Sequence, residues 1–264
     1  MKRAKANYLI QSVVHALNLL EEFKGGQEEL GVTELSNRLT LHKNNVFRLL
    51  ATLETKGYIE QNKATENYRL GIKALQLGQV YIQHSGFLQQ ARPILQGLVD
   101  ESGETVFVGV VKGPEVVYLD GFESGQSVRV VNRVGERAPA YATAIGKVHL
   151  AYCSDEELER HLPEQMPAYT AATVNDRKEL KKQLKKIETQ GYALESEEYE
   201  KDVRCIAVPV HDYTRKVIGA IAIAAPAFRM TDDRLRKELV PLIQQASERL
   251  SRRLGYEAAL RVAS

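Results

Sequence analysis

The sequence predicts an α+β protein of two domains: a small helical one with a β-hairpin, then a larger one built on an antiparallel sheet flanked by helices. Three observations predict it. Residues 1–71 read in order as helix, helix, turn, helix, glycine and hairpin. Beyond residue 87, strand-like runs are separated by turn residues, and helical stretches are grouped around them rather than alternating one for one. At 264 residues the chain exceeds the common size of one domain, and no repeat or low-complexity segment accounts for the length.

In the first helix Ile10, Val13, Val14, Leu17 and Leu20 form one apolar face of an amphipathic helix. The helix ends near Phe23, where Gly25 and Gly26 break the pattern. A second, short helix begins at Thr33, whose hydroxyl is placed to cap the first turn, and it carries Leu35 and Leu39 inward. The third runs from Lys43 to Lys56 and stops at Gly57. Its core stripe is Val46, Leu49, Leu50 and Leu53. Asn44, Arg48, Ala51 and Thr55 lie opposite, with Asn45, Phe47 and Thr52 on the flanks. Arginine pairs bidentately with guanine and asparagine with adenine, so this free face suits base edges in a major groove. Two short helices ahead of such a helix form the helix-turn-helix arrangement. Tyr58–Gln61 and Asn67–Leu70 follow as a hairpin, or wing, whose Lys63 and Arg69 are placed for the DNA backbone or the minor groove. The alternative is a three-helix domain with a merely solvated polar face, which the specific order of elements disfavours.

Ile72 to His84 reads as a helix with Ile72, Leu75 and Ile82 on one side and Leu77, Val80 and Tyr81 on others, a spread that implies burial on more than one face. Gly86 marks its end. A further helix over Leu88–Ser102 turns Ala91, Ile94, Leu95 and Leu98 inward. Strands are expected at Thr105–Val111, Val116–Phe122, Val128–Val134, Ile206–His211 and Val217–Ala225. Helices are expected at Ala144–Tyr152, Asp155–His161, Asp176–Gln190 and Thr231–Leu254, with capping-box spacing at Ser154 and Glu157.

Composition and motifs exclude several classes. The chain is 44% hydrophobic and 27% charged, as ordinary globular proteins are. No apolar run approaches the roughly 20 residues that span a bilayer. The basic Met1–Ala6 leads into an amphipathic stretch, so neither a membrane span nor a signal peptide is expected. Two cysteines, Cys153 and Cys205, are too few for a disulfide framework and suit a reducing cytoplasm. Residues 1–84 carry 11 basic and 8 acidic side chains, the rest 25 and 26. A mildly basic end on a neutral body fits a polyanionic partner without requiring one. Asp212 follows His211, but no Gly-x-Ser-x-Gly elbow accompanies them, and no Walker A or Gly-x-Gly-x-x-Gly loop is present. His149 and Cys153 are four apart on an expected helix, a spacing that would present two zinc ligands. No third or fourth ligand stands at useful spacing, so neither a metal nor a cofactor is expected. The run Lys178, Lys181, Lys182, Lys185 and Lys186 reads as a solvated helix face, with contact to DNA as the alternative.

Val32 to Ser36, Lys43 to Leu53, Gly57-Tyr58-Ile59 and Tyr68-Arg69-Leu70-Gly71 resemble the DNA-binding end of the IclR (isocitrate lyase regulator) family. Ala142 to Lys147, Gly191-Tyr192-Ala193 with Glu197-Glu198, and Val203 to Val210 resemble its effector-domain signatures. This ordered set covers nearly the whole chain. Family members usually have Ser-Thr where this chain has Asn44-Asn45, so the operator sequence does not carry over.

The resemblance implies a winged helix-turn-helix over 1–71, a linker helix over 72–86 that packs on a second subunit, and a GAF/profilin-like effector domain over 87–264. That domain would have a six-stranded antiparallel sheet with a pocket on one face. An intramolecular role for the linker helix is the alternative. The implied protein is no enzyme. It is a ligand-responsive, sequence-specific transcriptional regulator, expected to repress a catabolic operon, that binds a double-stranded DNA operator as a homodimer or dimer of dimers and senses a small organic acid. DNA contacts are expected from Thr33, Lys43, Asn44, Asn45, Phe47, Arg48, Thr52, Lys63 and Arg69. Pocket contacts are expected from Thr143, Ala144, Ile145, Gly146, Glu195, Cys205, Ala222 and Ala224. The first four open a helix, where free backbone N–H groups attract anions. Relatives that bind small oxo-acids commonly place Ser-x-Ser on the last strand, where this chain has Ala222-Ile223-Ala224. Glu195 stands where some relatives have the shorter Asp. A less polar or bulkier acid, an aromatic carboxylate for example, is therefore expected.

Overall fold

The structure is a computed structural model that describes residues 9–25, 27–131 and 133–257. The basic Met1–Ala6 and the helix-breaking Gly26 lie outside the described residues. The chain divides into two compact units between Ser85 and Gly86.

The first unit contains α1 (Gln11–Glu21, followed by a short 3-10 turn), α2 (Val32–Leu39), α3 (Lys43–Thr55), β1 (Ile59–Gln61), β2 (Tyr68–Leu70) and α4 (Ile72–His84). Its core is Leu19, Phe23, Leu30, Leu35, Val46, Leu50, Leu53, Ile59 and Tyr68. In α1 Leu19 is the buried residue, whereas Val13 and Leu17 are 51% and 57% exposed, and Ile10 is exposed as well. The apolar stripe exists, but the three-helix core is filled from the Leu19 side, so a single chain leaves Ile10, Val13 and Leu17 uncovered while Leu20 packs against the core. Ile72, Leu75, Leu77 and Val80 of α4 are likewise exposed in one chain; the side chains of Tyr81 and Ile82 lie outside the described set.

Thr33 does not cap α2. Leu30 exchanges backbone hydrogen bonds with Tyr68 at 2.9 and 3.0 Å, which straightens the chain ahead of the helix. The cap position falls on extended Gly31, leaving Thr33 as the second helical residue. After α3 the chain reverses at Gly57, whose φ of 76° is open to glycine at little cost. β1 and β2 then pair antiparallel, Glu60 opposite Arg69.

The second unit contains α5 (Gly86–Ser102), β3 (Thr105–Lys112), β4 (Glu115–Phe122), β5 (Arg137–Pro139), α6 (Ala144–Ala151), α7 (Asp155–His161), α8 (Arg177–Gln190), β6 (Ala193–Ser196), β7 (Val203–His211), β8 (Val217–Pro226), α9 (Asp232–Arg234) and α10 (Val240–Arg253). The six strands form one fully antiparallel sheet in the order β5-β4-β3-β8-β7-β6. Along β8 the side chains alternate in size. Ala220, Ala222 and Ala224 belong to the core beneath α6 and α8, while Ile221 and Ile223 are buried away from that cluster. Small residues on the α6 side leave room for a cavity between helix and sheet.

Three expectations change. The described residues of 128–134 form no strand. The carbonyl at Val130 accepts from Thr105 Oγ1 at 2.6 Å, so a side chain holds the segment where a ladder was expected, and β5 takes the sheet edge instead. β6, too short to show a pattern, was not anticipated. The final helix is not continuous either: Leu235–Leu239 widens into a π turn. Pro241 offers no N–H and crowds the carbonyl four residues back, which accounts for the widening. The Ser154–Glu157 capping box is formed as expected. No helix among the described residues is long and apolar enough to cross a membrane.

Candidate functional site

Each unit presents one candidate site. On the first, α3 exposes Lys43, Asn44, Asn45, Phe47, Arg48 and Thr52. The Thr52 hydroxyl donates to the Arg48 carbonyl at 2.7 Å, so its own proton is already used. The side chains of Lys43, Asn44, Asn45 and Arg48 make no hydrogen bond with other described residues, which leaves their donors available. Phe47 is an exposed aromatic ring beside them, of a kind that contacts thymine methyls. Thr33 is exposed at the start of α2, and Lys63 is exposed in the turn between β1 and β2. Arg69 is less free, because its Nε donates to Glu60 Oε1 at 2.6 Å across the hairpin. An exposed pair of this kind is worth about 1 kcal/mol or less, so a phosphate competes with it readily.

On the second unit, a cavity of about 430 Å³, its mouth included, lies between the sheet and the start of α6. Thr143, Ala144, Ile145, Glu195, Cys205, Ala222 and Ala224 all line it. Strand register explains the convergence. Glu195 sits opposite Cys205, and Cys205 opposite Ala224, so three strands deliver one row to one face. Gly146 does not line the cavity. A Cβ there would come within 2.1 Å of the Ala140 carbonyl oxygen, so glycine lets α6 lie on the preceding turn. The first helical bond of α6 runs from the Lys147 amide to the Thr143 carbonyl at 2.9 Å. The amides of Ala144, Ile145 and Gly146 therefore precede the ladder.

Sequence reasoning missed the charged and aromatic part of the lining: Phe107, Tyr118, Val130, Arg133, Tyr199, Glu200 and Val203. The rings of Phe107 and Tyr118 meet edge to face at 5.3 Å. The Arg133 guanidinium stands 5.7 Å from the Tyr199 ring centre and is ion-paired with Glu200. Glu195 is 3% exposed, and burial pushes its carboxyl up to about 7 although the Glu198 and Tyr199 amides donate to it at 2.5 and 3.3 Å. Burial, with Glu195 beside it, pushes the Cys205 thiol well up, so it stands as a neutral thiol. The site thus combines apolar walls, one cation, one acid that is readily protonated and a helix start.

A buried ion pair holds the loop that supplies this acid. Lys147 on α6 is fully buried, and its Nζ donates to Gln183 Oε1 at 2.8 Å and to the Glu198 carboxylate. The other oxygen of Glu198 accepts from the Val174 amide at 3.3 Å, and the Glu198 carbonyl accepts from Thr173 Oγ1 at 2.6 Å. Lys147 therefore fixes the 195–200 turn from behind. One further sequence expectation is revised: His149 and Cys153 do have a third potential ligand nearby, His161.

Residues 12–63 match the family described as IclR helix-turn-helix domain, and residues 79–252 match Bacterial transcriptional regulator IclR C-terminal. The chain is 38% identical over 251 residues to the HTH-type transcriptional regulator XynR of Escherichia coli (strain K12), covering 95% of this chain and 99% of that one. It is 33% identical over 248 residues to the HTH-type transcriptional regulator KdgR of the same strain, covering 94% of each. The crystal structure of the Thermotoga maritima IclR resembles it with a TM-score of 0.78 at 28% identity, over 93% of this chain and 99% of that one.

Proposed function

This chain belongs to the IclR family of transcriptional regulators, and from that premise we propose that it is a cytoplasmic, operator-specific repressor released or engaged by a small carboxylic acid with an apolar body. Membership makes it a DNA-binding regulator with an effector-binding C-terminal domain, not an enzyme. The repressor role is supported by the name of one relative, the transcriptional repressor IclR of Escherichia coli, 31% identical over 248 residues.

The observation that carries the ligand class is that Arg133, ion-paired with Glu200, and a protonatable Glu195 line one cavity with apolar walls. Arg133 and the free amides of α6 attract a carboxylate, while Phe107, Tyr118, Ala222 and Ala224 receive its body. The test is a thermal-shift screen of aliphatic and aromatic acids on the full chain. One acid is expected to stabilise the native protein by about 2.7 kcal/mol at one hundred times its Kd, with the shift strongly reduced in Arg133→Gln. An equal shift in that variant would place the acid elsewhere.

Proton linkage adds a directional prediction. Glu195 is neutral below about pH 7 and charged above it, and a charged Glu195 repels a bound carboxylate. Affinity measured by calorimetry is expected to fall as pH rises from 6 to 8. In Glu195→Gln the pH dependence should flatten while operator binding persists; an unchanged slope would mean that the acid does not face Glu195.

We further propose that the operator-binding species is a homodimer, with dimers of dimers as a larger form. Ile10 just ahead of α1, Val13 and Leu17 of α1, and Ile72, Leu75, Leu77 and Val80 of α4, are exposed in one chain and need a second copy to cover them. Val13→Glu combined with Leu17→Glu is expected to shift sedimentation towards the monomer and to weaken operator binding. A persistent dimer would remove α1 from the interface.

A further inference from the structure

Away from the effector cavity, the chain ends of two helices and a hairpin turn bring together three side chains with a shared chemistry. His149 lies in the last turn of α6, Cys153 two residues beyond that helix, and His161 at the end of α7. One ligand atom from each lies within 4.8 Å of the other two. The imidazoles of His149 and His161 stand nearly perpendicular, 85° apart, with centres at 5.5 Å. Nothing among the described residues hydrogen-bonds to His149 Nδ1, although the atom is buried. His161 Nδ1 lies 2.6 Å from the Gly113 carbonyl, in the turn between β3 and β4. A carbonyl only accepts, so Nδ1 carries the proton and Nε2 keeps a lone pair. A backbone carbonyl behind an imidazole is a common support for a metal-bound histidine. The Cys153 thiol points back along the same helix end, its Sγ donating weakly to the His149 carbonyl at 3.4 Å.

We propose that His149, Cys153 and His161 form a binding site for a thiophilic d10 or late first-row cation, Zn²⁺ above all, distinct from the effector cavity. Two imidazoles and a thiolate are the donor set such ions prefer, and they leave one tetrahedral position for water or another small ligand. Zinc ligands at tetrahedral angles sit about 3.3–3.6 Å apart, so a closing movement of about an ångström, within reach of side-chain rotation, completes the site. On binding, the Cys153 S–H bond breaks, its proton passes to solvent, and the S–Zn bond forms. The Glu157 carboxylate nearby is already engaged in the capping box with Ser154 and is not counted as a ligand. The cation would tie the ends of α6 and α7 to each other and, through His161, to the Gly113 turn. Because α6 opens at the effector cavity, the site fixes the far end of the helix on which the effector acts. Sequence spacing hid this: His161 is eight residues beyond Cys153, with a loop and a helix between them.

The test is a Co²⁺ titration of the chelator-treated full-length protein, read by absorption. One equivalent is expected to give a near-ultraviolet thiolate-to-cobalt band with visible tetrahedral bands, both removed by Zn²⁺. Cys153→Ser should abolish the thiolate band, and His161→Gln should weaken binding at least about ten-fold. Cys205→Ser should leave both unchanged. Circular dichroism and operator binding confirm that each variant is folded. The absence of a thiolate band in the wild type, or its survival in Cys153→Ser, overturns the proposal. A band lost in Cys205→Ser instead places the cation in the effector cavity and overturns it equally.

Discussion

Arg48→Ala is expected to weaken binding to the specific operator by about 1–3 kcal/mol, roughly five- to 150-fold, while affinity for unrelated duplex falls far less. The guanidinium is exposed on the α3 face, hydrogen-bonds to no other described residue, and lies one helical turn beyond Asn44 and Asn45. Its removal opens no cavity, because the buried stripe of α3 is Val46, Leu50 and Leu53. A loss of affinity would therefore report on the interface rather than on folding. Lys63→Ala provides the contrast. A wing lysine on phosphate should cost every sequence alike and lower the salt dependence by about one counterion. Fluorescence anisotropy at several salt concentrations separates the two. Equal losses for Arg48→Ala on operator and random DNA would make Arg48 a phosphate contact, and no loss on either would remove α3 from the groove.

Lys147→Met should destabilise the effector domain by about 3–5 kcal/mol, because it leaves the Glu198 carboxylate buried without its cation. For a unit of this size that corresponds to a fall in Tm of about 6–20 °C. Lys147 has no solvent exposure, and both of its side-chain partners, Glu198 and Gln183, are on other elements. Methionine fills a similar volume, so the loss is electrostatic rather than a packing defect. Adding Glu198→Gln to the single variant removes the stranded charge and should recover part of the stability, a rescue that a packing effect would not give. The same variant should loosen the turn that carries Glu195 and weaken effector binding beyond the loss of stability. A cost under about 1 kcal/mol would show that water reaches Glu198.

Much of this was legible in the sequence, for physical reasons that differ between elements. The core faces of α2, α3 and α8 follow from helical spacing, and Leu35, Val46, Leu50, Leu180, Leu184 and Ile187 are buried as expected. The cavity row Glu195, Cys205 and Ala224 was reached only through resemblance, since strand register is not written in local pattern; the pairing of β6, β7 and β8 supplies it. Tyr199 escapes notice because it sits on an irregular segment, where alternation carries no signal, and Arg133 because its segment reads as a strand. Val128–Val134 misled for the converse reason: a run of valines looks like a strand, yet Thr105 holds its backbone. The α1 stripe is legible as apolar, yet Val13 and Leu17 are exposed in one chain, because periodicity reports that a face wants cover without saying which chain supplies it.

The central claim is that this chain binds a specific operator and that an acid in the effector cavity changes that binding. A mobility-shift titration on DNA upstream of its own gene, with excess unrelated competitor and a panel of organic acids, tests it most directly. A saturable, competitor-resistant shift that one acid alters in the wild type, but not in Arg133→Gln, is the predicted result. A specific shift indifferent to every acid, or an acid that acts equally on Arg133→Gln, would contradict it.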